Sequence, residues 1–189
     1  MRKISMKKVD LKYPEGSCLI NMGDTIVLAT ASIEEKVPPF LVGTGKGWVT
    51  AEYNMLPRAN KYRKTRSNNL IKPDGRALEI QRLIGRSLRT AVDRKLLGER
   101  TITIDCDVIQ ADGGTRTASI NSGFIALHEA CKYLVASKVI KKFPIRFFIG
   151  AVSVGKVGTK YIQDLCYAED SKAIVVGITC FINPRLIYS

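Results

Sequence analysis

The sequence is short of histidine, of acidic residues relative to basic ones, and of any long apolar run, and each shortage narrows its chemistry. His128 is the sole histidine, and the cysteines Cys18, Cys106, Cys131, Cys166 and Cys180 include no Cys-x-x-Cys pair. Neither a zinc site nor a disulfide framework is expected from such a set. Scattered cysteines in apolar surroundings imply buried thiols in a reducing compartment. No stretch of about 18 apolar residues occurs, so no membrane-spanning helix is expected. Residues 1–8 carry charge without a following apolar run, unlike a signal peptide, and the expected location is the cytoplasm. Asp and Glu number 17 against 30 Lys and Arg, a net charge of +13. Such a balance attracts polyanions: RNA, DNA or an anionic membrane surface. With 189 residues, 46% hydrophobic and 25% charged, the chain suits one globular domain with a substantial core.

The most informative stretch lies where a strand meets a helix. In 101–109, Ile102, Ile104, Cys106 and Val108 alternate with Thr101, Thr103, Asp105 and Asp107, the period of a half-buried strand. From Ile120 to Val135 apolar residues recur at three- and four-residue steps, so a helix follows. Gly113 and Gly114 between them permit a tight turn. The first-turn N–H groups of that helix then open beside Thr115 and Arg116, an anion site in outline. The same residues equally suit an ordinary strand-to-helix turn with a solvated arginine.

Residues 17–22 and 25–33 predict a hairpin across Gly23-Asp24. The run Gly43-Thr44-Gly45-Lys46-Gly47 is no Walker loop, because Lys46 is followed by glycine where a magnesium-binding Ser or Thr is needed. It connects instead to a strand at 48–53. Arg58, Lys61, Arg63, Lys64 and Arg66 flank Tyr62 with no acid among them, and the loop extends through Asn68, Asn69 and Pro73. An arginine arm beside an aromatic can hold phosphates and stack on a base. After Asp74-Gly75-Arg76 a helix is predicted through Leu96, closed by Gly98; Arg82, Arg86 and Arg89 on it could face solvent, RNA or a second subunit. A strand at 145–154, a turn at 155–158 and a strand at 159–164 lead into Asp164, Glu169 and Asp170. Grouped carboxylates suit magnesium shared with substrate phosphates, or simply a turn.

Assembled, these blocks closely resemble the ribonuclease PH family of phosphate-dependent 3′→5′ exoribonucleases, relatives of polynucleotide phosphorylase and exosome ring subunits. The resemblance runs over about 12–171 and is carried by Lys12-Tyr13-Pro14-Glu15-Gly16-Ser17, Gly47-Trp48-Val49-Thr50-Ala51-Glu52-Tyr53, Glu79-Ile80-Gln81-Arg82-Leu83-Ile84-Gly85-Arg86, the run from Asp105 through Ser119, and Asp164-Leu165 with Tyr167 and Glu169-Asp170-Ser171. It implies an α+β domain of the ribosomal-protein-S5-domain-2-like type, a mixed sheet packed against helices, assembled as a homo-hexameric trimer of dimers. By the same resemblance Arg76, Gly114, Thr115 and Arg116 hold inorganic phosphate, the co-substrate. Asp164 and Asp170 are catalytic and bind Mg2+ or Mn2+, and Arg58, Arg63 and Arg66 engage the RNA. The implied activity is trimming of tRNA precursors with release of nucleoside diphosphates; the alternative is a catalytically impaired, RNA-binding remnant. Three departures stand out: no Asp-Gly-Arg lead segment, Cys166 where an aspartate is usual, and an unmatched tail at 172–189.

Overall fold

The computed structural model describes residues 1–66 and 74–183. Its larger sheet runs in the order β1-β2-β3-β5-β4, from β1 (Ile4–Lys7), β2 (Gly16–Met22), β3 (Thr25–Glu34), β4 (Trp48–Met55) and β5 (Thr101–Gln110). Neighbours are antiparallel except β4 and β5, which run parallel and pair Glu52 with Asp105 and Asn54 with Asp107. The expected hairpin is β2–β3, turned at Gly23 with φ of 55°. β1, read from the sequence only as a basic lead-in, pairs along β2.

Alternation places Ile20, Val27, Ala29, Val49, Ala51, Ile102, Ile104 and Val108 on one buried face. Two long helices cover it, α1 (Gly75–Ala91) against β4 and α3 (Thr115–Ala136) against β2 and β3. α1 buries Ile80, Ile84, Leu88 and Ala91 at helical spacing. α3 is buried all round over 117–124, because its far side meets a second sheet of order β7-β6-β8. That sheet comprises β6 (Phe148–Val157), β7 (Lys160–Gln163) and β8 (Val175–Asn183). The architecture is α+β, as the resemblance implies.

The chain approaches α3 so closely at Gly16 that a Cβ there would run into the Ala126 carbonyl. On the other side, buried Asn121 accepts from the Ala151 N–H (2.7 Å) and donates to the Ala151 carbonyl (2.9 Å), fastening β6 to the helix. Asn121→Ala strands both backbone groups of Ala151, at ~1–3 kcal/mol each. We expect thermal denaturation to show Tm lowered by roughly 5–15 °C; a shift under about 2 °C would mean that the sheet is held by other contacts.

Three boundaries differ from those read in the sequence. The helix predicted through Leu96 ends at Ala91: Asp93 caps a separate turn, α2 (Arg94–Leu97), by accepting from the N–H groups of Lys95 and Leu96, while Val92 bridges to Ile145. Apolar periodicity crosses the break undisturbed, which is why the sequence reads as one helix. Second, β6 spans 148–157, not 145–154, and Gly155 lies within it, where a Cβ would come 2.8 Å from Leu165 Cδ2. The turn is instead at Gly158, with φ of 59°. Third, the tail that departs from the family pattern supplies β8, an antiparallel partner of β6 carrying the exposed side chains Val175, Val176 and Phe181. Asn68, Asn69 and Pro73 of the basic loop, and 184–189 of the tail, lie outside the described residues. Among the described residues no helix is long and apolar enough to cross a membrane.

Candidate active site

The glycine-rich turn after β5 is held from three sides. Thr25, fully buried on β3, accepts from the Asp112 N–H (2.9 Å) and donates to the Gly113 carbonyl (2.6 Å). Arg2 donates from Nη1 to the Asp112 carbonyl (2.6 Å), and the Asp112 side chain accepts from the Tyr167 N–H (3.3 Å). Gly113 and Gly114 have φ of 75° and 65°, and a Cβ on Gly113 would lie 2.7 Å from the Leu165 carbonyl oxygen. Glycine is therefore required both for the left-handed backbone and for the close approach of the 164–167 turn.

Gly114 is the N-cap of α3 and offers no side chain to the first-turn N–H groups. Those groups have no acceptor within the helix. Thr115 beside them accepts a 3.0 Å hydrogen bond from the Tyr53 hydroxyl. Burial pushes the Tyr53 pKa up, opposed by that bond and by the nearby charges of Arg76 and Arg116. Tyr53 thus touches Thr115 and lines the same cleft as Arg76 and Arg116. Arg116 is ion-paired at 2.7 Å with Glu79 of α1, so a carboxylate already occupies one edge of its guanidinium.

These groups open onto a cleft of about 1250 Å3 at the C-terminal ends of β4 and β5. Of the residues expected from the sequence, Arg63, Arg76, Gly114, Thr115, Arg116 and Asp170 line it; Arg58, Arg66 and Asp164 do not. Arg58 is exposed and donates to the Lys61 carbonyl at 2.6 Å, and Arg66 is exposed at the last described position of the loop. The wall formed by β4 and β5 carries Glu52, Asp105 and Asp107. Burial and these two neighbouring charges raise the Asp105 pKa.

The three clustered carboxylates have separate fates. Asp164, with φ of 62° and a side chain of zero exposure, accepts from the Arg2 N–H through Oδ2 (2.8 Å) and from Arg2 Nη2 through Oδ1 (2.6 Å). Burial disfavours its charge, but the Arg2 bonds and charge outweigh burial and hold its carboxyl below the ordinary value. Glu169 accepts from the Cys166 N–H at 3.0 Å, closing the short helix α4 (Tyr167–Asp170). Only Asp170 reaches the cleft. With both Asp164 oxygens engaged, the Asp164–Asp170 pair does not fit a two-carboxylate metal site. Among the described residues no group of three or more His, Cys, Asp or Glu could hold an ion.

Sequence reasoning missed Arg2, Thr25, Tyr53 and Glu79. Their partners lie 162, 87, 62 and 37 positions away, beyond any local pattern. Three thiols are buried as composition implies, Cys18, Cys106 and Cys131, whereas Cys166 is only half-buried. Burial pushes the Cys18 thiol up to about 11 and Cys131 up to about 12, so both stay protonated.

Solved structures share this fold. Rice (Oryza sativa) Rrp46 superposes with a TM-score of 0.72 at 18% identity, over 96% of this chain and 77% of that one. The Archaeoglobus fulgidus exosome with RNA bound to the active site gives 0.73 at 19%, over 100% and 80%. An archaeal exosome core gives 0.69 at 19%, over 100% and 77%. Residues 1–132, holding the whole larger sheet, α1 and the glycine turn, match the RNase PH family, described as the 3′ exoribonuclease family, domain 1. The chain therefore belongs to the ribonuclease PH family of 3′ exoribonucleases.

Proposed function

We propose that the protein is a phosphate-dependent 3′→5′ exoribonuclease acting on tRNA precursors and releasing nucleoside diphosphates. The observation that carries this reading is one cleft lined by Thr115 and Arg116 at the uncapped start of α3, by Arg76 of α1 and by Arg63 of the basic loop. A hydrolase needs no pocket for a second anion; a phosphorylase must bring inorganic phosphate against a phosphodiester, and clustered cations offset that repulsion.

In the reaction, an oxygen of bound phosphate forms a bond to the terminal phosphorus. The bond to the 3′ oxygen of the penultimate nucleotide breaks, and that oxygen leaves with a proton, so the last nucleotide departs as a diphosphate. Thr115, Arg116 and the α3 N–H groups hold the attacking phosphate, and Arg76 faces the same charge from α1. Of the pair expected to bind Mg2+ or Mn2+, Asp170 alone lines the cleft; it would hold the ion together with substrate phosphates, and the ion would offset charge on the transferred group. Assembly into a homo-hexameric ring in the cytoplasm is part of the proposal, supported by the fold shared with exosome chains and by the buried thiols.

A second reading, an RNA-binding member without catalysis, draws on the engagement of Asp164 by Arg2. One assay separates them: a tRNA with a short 3′ extension, magnesium, and phosphate present or absent. Diphosphates formed only with phosphate are the expected result. Monophosphates without phosphate would make the protein a hydrolase, and no product in either arm would leave the RNA-binding reading.

A further inference from the structure

The arginines of α1 form an arrangement that the cleft does not use. Arg76, Glu79, Arg82, Arg86 and Arg89 succeed one another at spacings of three, three, four and three, so they lie along one slowly winding stripe. Arg76 lines the cleft, and the stripe leads away from it for about 20 Å at 1.5 Å per residue. Glu79, the sole acid of α1, is already neutralised by Arg116. Arg82 and Arg86 are exposed, and among the described residues neither they, Arg89 nor Arg94 takes part in an ion pair. At the far end Arg89 lies 4.3 Å and Arg94 5.6 Å from the centroid of the Trp48 ring, with Arg89 Nη1 also donating to the Val49 carbonyl at 2.8 Å. Burial, and then the charges of Arg86 and Arg94, lower the Arg89 pKa, so these arginines repel one another. Like charges at three- and four-residue spacing destabilise a helix. A polyanion laid along the stripe removes that repulsion.

Resting on the cleft reading above, we propose that this stripe is the track for the RNA strand upstream of its 3′ end, with Arg82 and Arg86 each neutralising a backbone phosphate. RNA is favoured over another protein because the stripe starts inside the cleft, has no apolar residue in its spacing, and beyond Glu79, which Arg116 pairs, carries only positive charge. The test compares the full chain with Arg82→Ala/Arg86→Ala, using a labelled single-stranded RNA long enough to extend beyond the cleft. Each lost phosphate contact lowers the slope of log K against log salt by about 0.7, so the double variant loses about 1.4 units of slope and ~25-fold in affinity at 0.1 M salt. Phosphorolysis of a very short RNA stays unchanged. A Lys7→Ala/Lys12→Ala control removes equal charge from exposed positions on and just after β1, at the opposite edge of the larger sheet from β4 and α1, and leaves the slope near that of the wild type. An unchanged slope in the stripe variant, or an equal change in the lysine control, overturns the track. A change in sedimentation of the stripe variant overturns it in favour of a subunit contact. Failure of the wild-type chain to use phosphate would instead sink the cleft reading and leave the binding result to stand by itself.

Discussion

Arg116→Ala raises the phosphate concentration needed for half-maximal trimming by roughly 10- to 30-fold, with a smaller effect on the rate at saturation. A charged hydrogen bond to an anion contributes ~1.5–3 kcal/mol. Phosphate must first draw Arg116 from Glu79, and because Glu79 is more than half exposed that pair opposes binding by no more than about 1 kcal/mol. A net ~1.5–2 kcal/mol corresponds to the stated range. Thr115, Arg76 and the first-turn N–H groups of α3 remain in the variant, so activity persists at high phosphate. The measurement is the rate of diphosphate release against phosphate concentration. An unchanged curve would remove Arg116 from the phosphate site, whereas loss of product at every phosphate concentration would assign it to the transferred group.

Arg2→Ala carries the other large effect, on stability. It leaves the Asp164 carboxylate, with zero exposure, one hydrogen bond from the residue 2 N–H and, in place of the paired guanidinium, only the charge of the N-terminal amine. Removing one partner of a buried pair costs about 3–5 kcal/mol. For a domain of this size, Tm falls by roughly 10 °C. The pH dependence distinguishes this cause from general loosening. In the wild type the folded-state pKa of Asp164 lies below its ordinary 3.8, so its contribution is present above about pH 4 and disappears as pH falls through the folded value. In the variant burial acts without Arg2 and pushes the pKa up; the protonated form is then favoured in the folded state, and stability declines as pH rises past about 4. The gap in Tm between the two proteins is therefore wide at pH 7 and narrows on acidification to about pH 3.5. A gap independent of pH would show that Asp164 is not the group at risk.

The same contact shapes the chemistry. Arg2 reaches the Asp112 carbonyl with one nitrogen and Asp164 with another, joining the glycine turn of the larger sheet to the acidic turn after β7. Asn121 fastens β6 to α3, and Ser153 of β6 accepts from the Asp164 N–H at 2.6 Å through its carbonyl. Asp170 and Arg116 therefore face one cleft because long-range polar contacts lock their carriers together.

The alternation of 101–109, the glycine pair and the apolar periodicity of the following helix are short-range signals, so β5, the turn and α3 emerge from the sequence, with Thr115 and Arg116 placed at the helix start. The continuous apolar stripe past Val92 hid the helix break, because the Asp93 cap and the bridge from Val92 to Ile145 leave that periodicity intact. Composition determined the basic, thiol-burying character of the chain, and the ordered blocks determined its family. Only the tertiary structure decided that Asp164 belongs to Arg2 while Asp170 lines the cleft. Two carboxylates six residues apart look equivalent in one dimension; a partner 162 residues away makes one a buried anchor and leaves the other at the cleft.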